Sequence, residues 1–379
     1  MGIENPSEQI RNWALEVGFD RAGIASLSAS SYSEELRGWL ERGEHAEMAY
    51  MSRRIELRLD PRDIMPSARS VVCVALQYSP LQGDLCEEGD LWPRVARYAH
   101  GTDYHDLMKA RLEELAGRVR DAFPDCATRS YVDTGPVLER ELAVRAGLGA
   151  FGKNTMLLNE ESGSWLLLGE LFLSLELEPD VAVTDLCGSC TQCLEACPTG
   201  ALPSAYRLDA NRCISYWTIE YRGILPREIR SQLGGWVFGC DLCQEACPWN
   251  GDTLSVDHPE MRLPSHRAEL TLSDLLRIDR EQYVERFRGS PMKRAKQAGL
   301  QRNAAVAMGN SKDRRYVPAL LEALHDDSDL VRIHVAWALG VVGGESARSG
   351  LVARRSVELE PKVLQEIDSA LHRFESLEE

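Results

Sequence analysis

Eight of the chain's eleven cysteines lie between Cys187 and Cys247. A short stretch dominated by cysteine, proline and glycine has little apolar area to bury, so loops and short helices wrapped around a metal centre are expected there. The run CGSCTQCLEACP puts Cys187, Cys190, Cys193 and Cys197 at the C-x2-C-x2-C-x3-C-P spacing of bacterial ferredoxins. Those proteins bind two four-iron, four-sulfur clusters, and the fourth cysteine of each run ligates the other cluster. A second run, CDLCQEACP, keeps Cys240, Cys243 and Cys247 but lacks the first position, which Cys213 is available to fill. One cluster is therefore expected to take Cys187, Cys190, Cys193 and Cys247, and the other Cys213, Cys240, Cys243 and Cys197. Structural zinc is the competing use of such thiols, but its sites usually show two separated cysteine pairs. Two clusters imply single electrons moving along a wire. Cys73, Cys86 and Cys126 read as buried or incidental thiols.

The rest of the chain divides around this segment. In residues 1–180, SEQIRNWALEVG has helical apolar spacing, FDRAGIAS, SVVCVALQY and ATRSYVD read as strands, and SWLLLGELFLSLEL as one or two buried strands. TDYHDLMKARLEELAGRVR reads as a long amphipathic helix capped at Thr102, and GPVLERELAVRAGLG as a helix with Pro136 in its first turn. After about residue 260, RNAAVAMG is echoed by RIHVAWALG, with Gly309 and Gly340 at equivalent points. That repetition suggests stacked helix pairs. The expected architecture is an α/β (α+β) domain over 1–180, a ferredoxin-like two-cluster domain over 181–255 and an all-α, HEAT-like repeat over 256–379.

With 44% hydrophobic and 27% charged residues, the 379-residue chain has the composition of a soluble globular protein. No run of eighteen apolar residues spans a bilayer, and the N-terminus lacks the basic and apolar regions of a signal peptide, so a cytoplasmic protein without membrane contact is expected. The net charge of −16 argues against indiscriminate nucleic-acid binding. Against that background Arg286, Arg288, Lys293, Arg294, Lys296 and Arg302 form a run without an acidic residue, either a phosphate-binding patch or a solvated basic face.

SYVDTGP raises the sharpest question of function. Asp133 lies where a strand gives way to a helix, and a carboxylate there is either helix punctuation or an acid. The stretch DYHDLM begins like a cobalamin motif that supplies a histidine ligand, but Met108 stands where glycine is needed.

Taken in order, RYAHGTDYHDLMKARLEELA, YVDTGPVLERELAVRAGLGAFGKNTMLL, SWLLLGELFLSLEL, CGSCTQCLEACPTGAL, CISYWTIEYRG, GCDLCQEACPWN and RNAAVAMGN closely resemble the epoxyqueuosine reductase family over nearly the whole chain. The resemblance implies reductive removal of the epoxide oxygen of epoxyqueuosine at the wobble position of transfer RNA, by cob(I)alamin fed by two 4Fe-4S clusters, with no histidine below cobalt. It makes Asp133 the proton donor, close to the cobalamin. Asp103, Tyr104, His105 and Arg140 fall on the substrate side. Arg58, Lys153 and Asn154 would meet corrin side chains or the nucleotide tail, and Ser215, Cys240, Asp241, Leu242 and Cys243 the ring. Tyr221 and Arg222 would meet the nucleotide, and Lys293, Arg294, Lys296 and Arg302 the RNA. A low-potential electron donor such as ferredoxin or flavodoxin is implied, and a monomer suits an asymmetric RNA. Two rivals stand: a corrinoid reductive dehalogenase, which usually carries a twin-arginine signal, and a non-catalytic iron–sulfur carrier or scaffold.

Overall fold

The computed structural model describes residues 5–78, 93–251, 253 and 256–375; Cys86 lies outside them. The chain forms two compact units. One comprises Met1–Leu81, Gly101–Asn211 and Asp241–Arg262, the other Gln82–His100, Arg212–Cys240 and Leu263–Glu379. These boundaries cut across the three contiguous stretches read from the sequence. The cysteine-rich segment, too poor in apolar area for a core of its own, contributes to both units.

The first unit is built on a four-stranded sheet of β1 (Arg21–Ser26), β2 (Ser70–Gln77), β3 (Thr128–Tyr131) and β4 (Leu166–Leu173), ordered β1–β2–β4–β3. Every pairing is antiparallel, so the domain is α+β. All eight residues of β2 are buried, as an apolar, β-branched run between two covered faces should be. Two helices matter for the site, α1 (Tyr104–Ala122) and α2 (Glu139–Arg145). Met108 and Leu112 of α1 close on Gly169 of β4, where a β-carbon would come within 3.2 and 3.1 Å of them. On the other face Leu142 and Ala143 of α2 pack with Val71, Cys73, Ala75 and Phe172.

Both helix starts differ from expectation. The cap of α1 is Asp103, whose carboxylate accepts the N–H of His105, while the Thr102 N–H goes to the Glu260 carbonyl. Helix α2 begins at Glu139, not near Pro136. Asp133 adopts the left-handed conformation at φ 53°, which turns the chain into a loop before any helix can start. It is therefore no helix cap.

The second unit is mainly helical. Helices α3 (Gln297–Ser311), α4 (Asp329–Val342) and α5 (Pro361–Glu375) pack in sequence. The repeated glycines set how closely they approach. A β-carbon on Gly309 would lie 2.6 Å from the Trp337 ring, and one on Gly340 would lie 2.7 Å from the Ala370 side chain. Among the described residues no helix is long and apolar enough to cross a membrane.

Candidate functional site

The first unit holds six of the eight clustered cysteines. Each run carries one short helix, Gln192–Glu195 and Leu242–Glu245, and the two helices pack together. This brings Cys247 to the first run: its thiol is pushed up by burial and by the charges of Cys187 and Cys190, and that of Cys193 by burial, Cys187 and Cys247. Cys193 and Cys247 thus both feel the charge of Cys187, the neighbourhood that one cluster's ligands need, although among the described residues no three potential ligands converge closely enough to hold a metal ion as they stand. Backbone N–H groups already point at sulfur, from Lys153 to Cys187 at 3.4 Å and from Ala201 to Cys197 at 3.3 Å, as thiolate ligands require. Cys197 and Cys243 belong to the first unit, Cys213 and Cys240 to the second.

Lys153 and Asn154, expected at the cofactor, also have partners within the protein. The Lys153 ammonium donates to the carbonyls of Gly188 and Cys190 at 2.7 and 2.9 Å, and the Asn154 amide donates to the Cys243 carbonyl at 3.2 Å. They staple the two cysteine runs to the α+β core. A buried network of Tyr78, Ser164, Gln244 and Asn250 fastens the second run at the start of β4. Asp241 is buried and accepts from Gln244 at 3.3 Å, next to Leu242.

The second cluster of polar groups centres on Asp133. Its carboxylate is half-exposed, with Oδ2 3.0 Å from His105 Nε2. His105 Nδ1 in turn lies 2.7 Å from Asp103 Oδ1, and Tyr104 stacks on the imidazole. Burial would lower the His105 pKa, but its bonds to Asp103 and Asp133 outweigh burial and raise it to about 9. The imidazole is therefore a cation at neutral pH, held between two carboxylates. Both ring nitrogens are engaged, so His105 is not placed to ligate cobalt, in line with the interrupted Asp-x-His motif.

The Asp133 loop is braced from three sides. Its N–H donates to Glu139 Oε1, Arg58 donates to the Gly135 carbonyl at 3.3 Å, and the Tyr131 ring lies where a side chain on Gly135 would stand. Burial followed by the Asp133 charge pushes Glu139 up to about 8. Arg58 is drawn down by burial, and its buried Nε has no hydrogen-bond partner. A donor left bare beside the loop suits an amide oxygen or phosphate of a bound cofactor. Arg140 donates to the Thr155 carbonyl. Behind the loop, β4 buries Glu170 completely. Neither Glu139 nor Glu170 figured among the sequence candidates, although one carboxylate inside LLLGELFL was a visible signal.

In the second unit the basic patch is narrower than the sequence suggested. Arg302 is fully buried, donating to the carbonyls of Tyr221, Gly223 and Trp217, so it is no RNA contact. A guanidinium buried so completely demands such internal acceptors. Arg294 is paired with Glu220 at 2.7 Å. Lys293 and Lys296 are exposed. The Tyr221 hydroxyl donates to the Ile224 carbonyl, and Arg222 donates to the carbonyls of Ile219 and Ala295; both serve local structure in this conformation. Ser215 is half-buried in the short helix Ile214–Ile219.

Three family models match: the epoxyqueuosine reductase QueG, DUF1730 model over residues 58–134, a 4Fe-4S double cluster binding domain over 186–250 and HEAT repeats over 292–371. The epoxyqueuosine reductase of Xanthomonas campestris is 40% identical over 344 residues, covering 88% of this chain and 96% of its own. A crystal structure of epoxyqueuosine reductase with a tRNA-Tyr epoxyqueuosine-modified stem loop superposes with a TM-score of 0.91 at 33% identity, over 97% of this chain and 98% of that one. A structure of the Bacillus subtilis enzyme, with its catalytic aspartate loop swung out of the active site, gives 0.90 at 32% identity over the same shares.

Proposed function

The chain belongs to the epoxyqueuosine reductase family, and on that premise we propose that it converts epoxyqueuosine in transfer RNA to queuosine, drawing its proton through Asp103, His105 and Asp133. The carrying observation is the chain of contacts from Asp103 through His105 to Asp133 Oδ2, at 2.7 and 3.0 Å. The family uses cobalamin and two 4Fe-4S clusters.

Asp133 is the group that gives its proton to the departing epoxide oxygen. An exposed aspartate titrates near ~3.9 and would hold no proton at neutral pH. The neighbouring imidazolium removes that difficulty: His105 passes its Nε2 proton to Asp133 Oδ2, and the carboxyl group so formed gives one proton to the oxygen as the C–O bond breaks. Asp103 fixes the imidazole and keeps it basic enough to be charged again. Cobalamin, when bound, supplies electrons at low potential to the epoxide-bearing carbon. Arg58 and the backbone at Asp241 and Leu242 would hold it, with the bare Arg58 Nε as the fitting donor. The cluster set Cys187, Cys190, Cys193 and Cys247 is supported by the packing of the two short helices and by the charge of Cys187 felt at Cys193 and Cys247, and the set Cys213, Cys240, Cys243 and Cys197 rests on spacing. Electrons enter from a low-potential donor of the ferredoxin or flavodoxin kind. Stem phosphates meet Lys293 and Lys296 by charge rather than sequence. A cytoplasmic monomer acting on one stem loop completes the reading.

Family membership disfavours both rivals, the dehalogenase and the non-catalytic carrier. The test is an anaerobic assay of reconstituted protein on epoxyqueuosine-bearing transfer RNA with a low-potential reductant, read by nucleoside mass analysis. Queuosine is the expected product, and unchanged epoxyqueuosine with both clusters and cobalamin bound overturns the reading.

A further inference from the structure

In the second unit, Cys213 and Cys240 are two of the cysteines expected at the second cluster, and each borders an element too short to hold itself in place. Cys213 is the N-cap of the six-residue helix Ile214–Ile219, and Cys240 follows the three-residue strand Trp236–Phe238 by way of Gly239. A helix of one or two turns is marginal alone, and its last carbonyls have no partner within it. Here they are met from helix α3. Arg302 donates to the Trp217 carbonyl at 2.8 Å and Asn303 to the Thr218 carbonyl at 2.9 Å, and both side chains are fully buried.

The Asn303 amide does more than close that helix. It also donates to the Val237 carbonyl at 2.8 Å, in the strand that leads to Cys240, and its oxygen accepts from Arg302 at 3.0 Å. Thr218, likewise fully buried, makes the matching link. Its hydroxyl donates to the Ile214 carbonyl at 2.8 Å, one residue from Cys213, and accepts the Gly239 N–H at 2.9 Å, one residue from Cys240. Gly239 sits at φ 69°, and a β-carbon there would lie 2.5 Å from that of Ala96, so the turn into Cys240 requires glycine. Two side chains thus tie the two cysteine-bearing elements to each other and to one helix of the repeat. Buried as they are, these bonds are not exchanged for water without cost.

We propose that Asn303 and Thr218 are positioning residues for the second iron–sulfur cluster: they set the spacing of Cys213 and Cys240, and helix α3 is part of the cluster's housing as well as of the repeat. The inference rests on the ligand set Cys213, Cys240, Cys243 and Cys197 proposed above. Ligands held by groups one residue away need not be gathered before a cluster binds, and hydrogen bonding around the ligands tunes its potential.

The test uses the full chain, reconstituted without oxygen. Its readouts are iron content, release of iron to a chelator and the electron paramagnetic resonance of the reduced clusters. Cys213→Ala is the benchmark: it should lose one cluster's signal and keep the other's, and retention of both removes the ligand set on which the inference rests. Thr218→Val keeps the side chain's shape but leaves the Gly239 N–H without its acceptor. It should unfold cooperatively, leave the first cluster's signal unchanged, alter the signal that Cys213→Ala loses, and release that cluster's iron roughly ten-fold faster. Thr218→Ser, which restores the hydroxyl, should return both readouts to native values. Asn303→Asp, which sets an acceptor against two carbonyls, should go further in the same direction; if it does not fold, Thr218→Val still decides. Folded Thr218→Val protein with native signals and native iron release overturns the proposal. Equal damage to both clusters, or loss of the fold, in Thr218→Val overturns it too, since the bonds would then be general supports.

Discussion

Buried carboxylates occur in both units, and the two units treat them in opposite ways. In the helical repeat, Glu358 accepts from Arg332, from Arg354 and from the N–H groups of Leu359 and Glu360. Burial alone would raise its pKa, yet these partners bring it down to about 2. Behind the Asp133 loop, Glu170 is buried at least as deeply and receives no hydrogen bond. Native proteins satisfy nearly all buried polar groups. A carboxyl left bare therefore costs stability, whereas Glu358 with its partners adds to it.

The largest effect that would break this contrast is at Asp133. Asp133→Asn should slow conversion on the order of 10³-fold while the visible absorption of the clusters persists; turnover above a tenth of native would remove Asp133 as donor. On the scaffold side, Arg332→Leu strips Glu358 of one partner and should cost roughly 3–5 kcal/mol in denaturant unfolding. Because the Glu358 pKa is depressed, its contribution is complete above the ordinary value of ~4.3 and is lost as pH falls through about 2. Acid unfolding followed by fluorescence should show the native advantage over Glu358→Gln shrinking in that window.

His105→Gln should slow the reaction by about 100-fold. The His105 pKa is raised, so its ion pairs are intact below ~6.5 and lost as pH rises through about 9. The native rate should fall across that upper range, and the variant should lack this step. Smaller, and opposite in sign for stability, is Glu170→Leu: an apolar side chain in place of a bare acid should stabilise by about 1–3 kcal/mol. Destabilisation by that variant would mean that Glu170 is satisfied in solution and that the contrast with Glu358 is false. Least of all, Lys293→Ala with Lys296→Ala should weaken stem-loop binding a few-fold and flatten its salt dependence by roughly one to two phosphate contacts. Arg294→Ala should add less, being already paired with Glu220.

The cysteine runs and the buried strands were legible because both are local patterns: ligand spacing in one case, unbroken apolar β-branched sequence in the other. The cap at Asp103 was missed by one residue, since Thr102 and Asp103 are both good caps and the choice depends on Glu260, distant in sequence. Arg302 was read as surface because counting charge ignores which helix face a residue occupies; the AAVA that follows was the contrary sign. The left-handed turn at Asp133 had no local signature, as aspartate adopts it less readily than glycine and only tertiary bracing keeps it there. Glu170 became meaningful only once the register of β4 set it behind the loop.

That turn at Asp133 has a consequence for timing. Asp133 sits at φ 53° in a loop braced by Glu139, Arg58 and Tyr131, so the aim of its carboxyl group at His105 depends on those contacts. The same contacts that charge the acid also latch its loop, so acidity and placement rise and fall together. An unlatched enzyme has no aimed proton to waste on water.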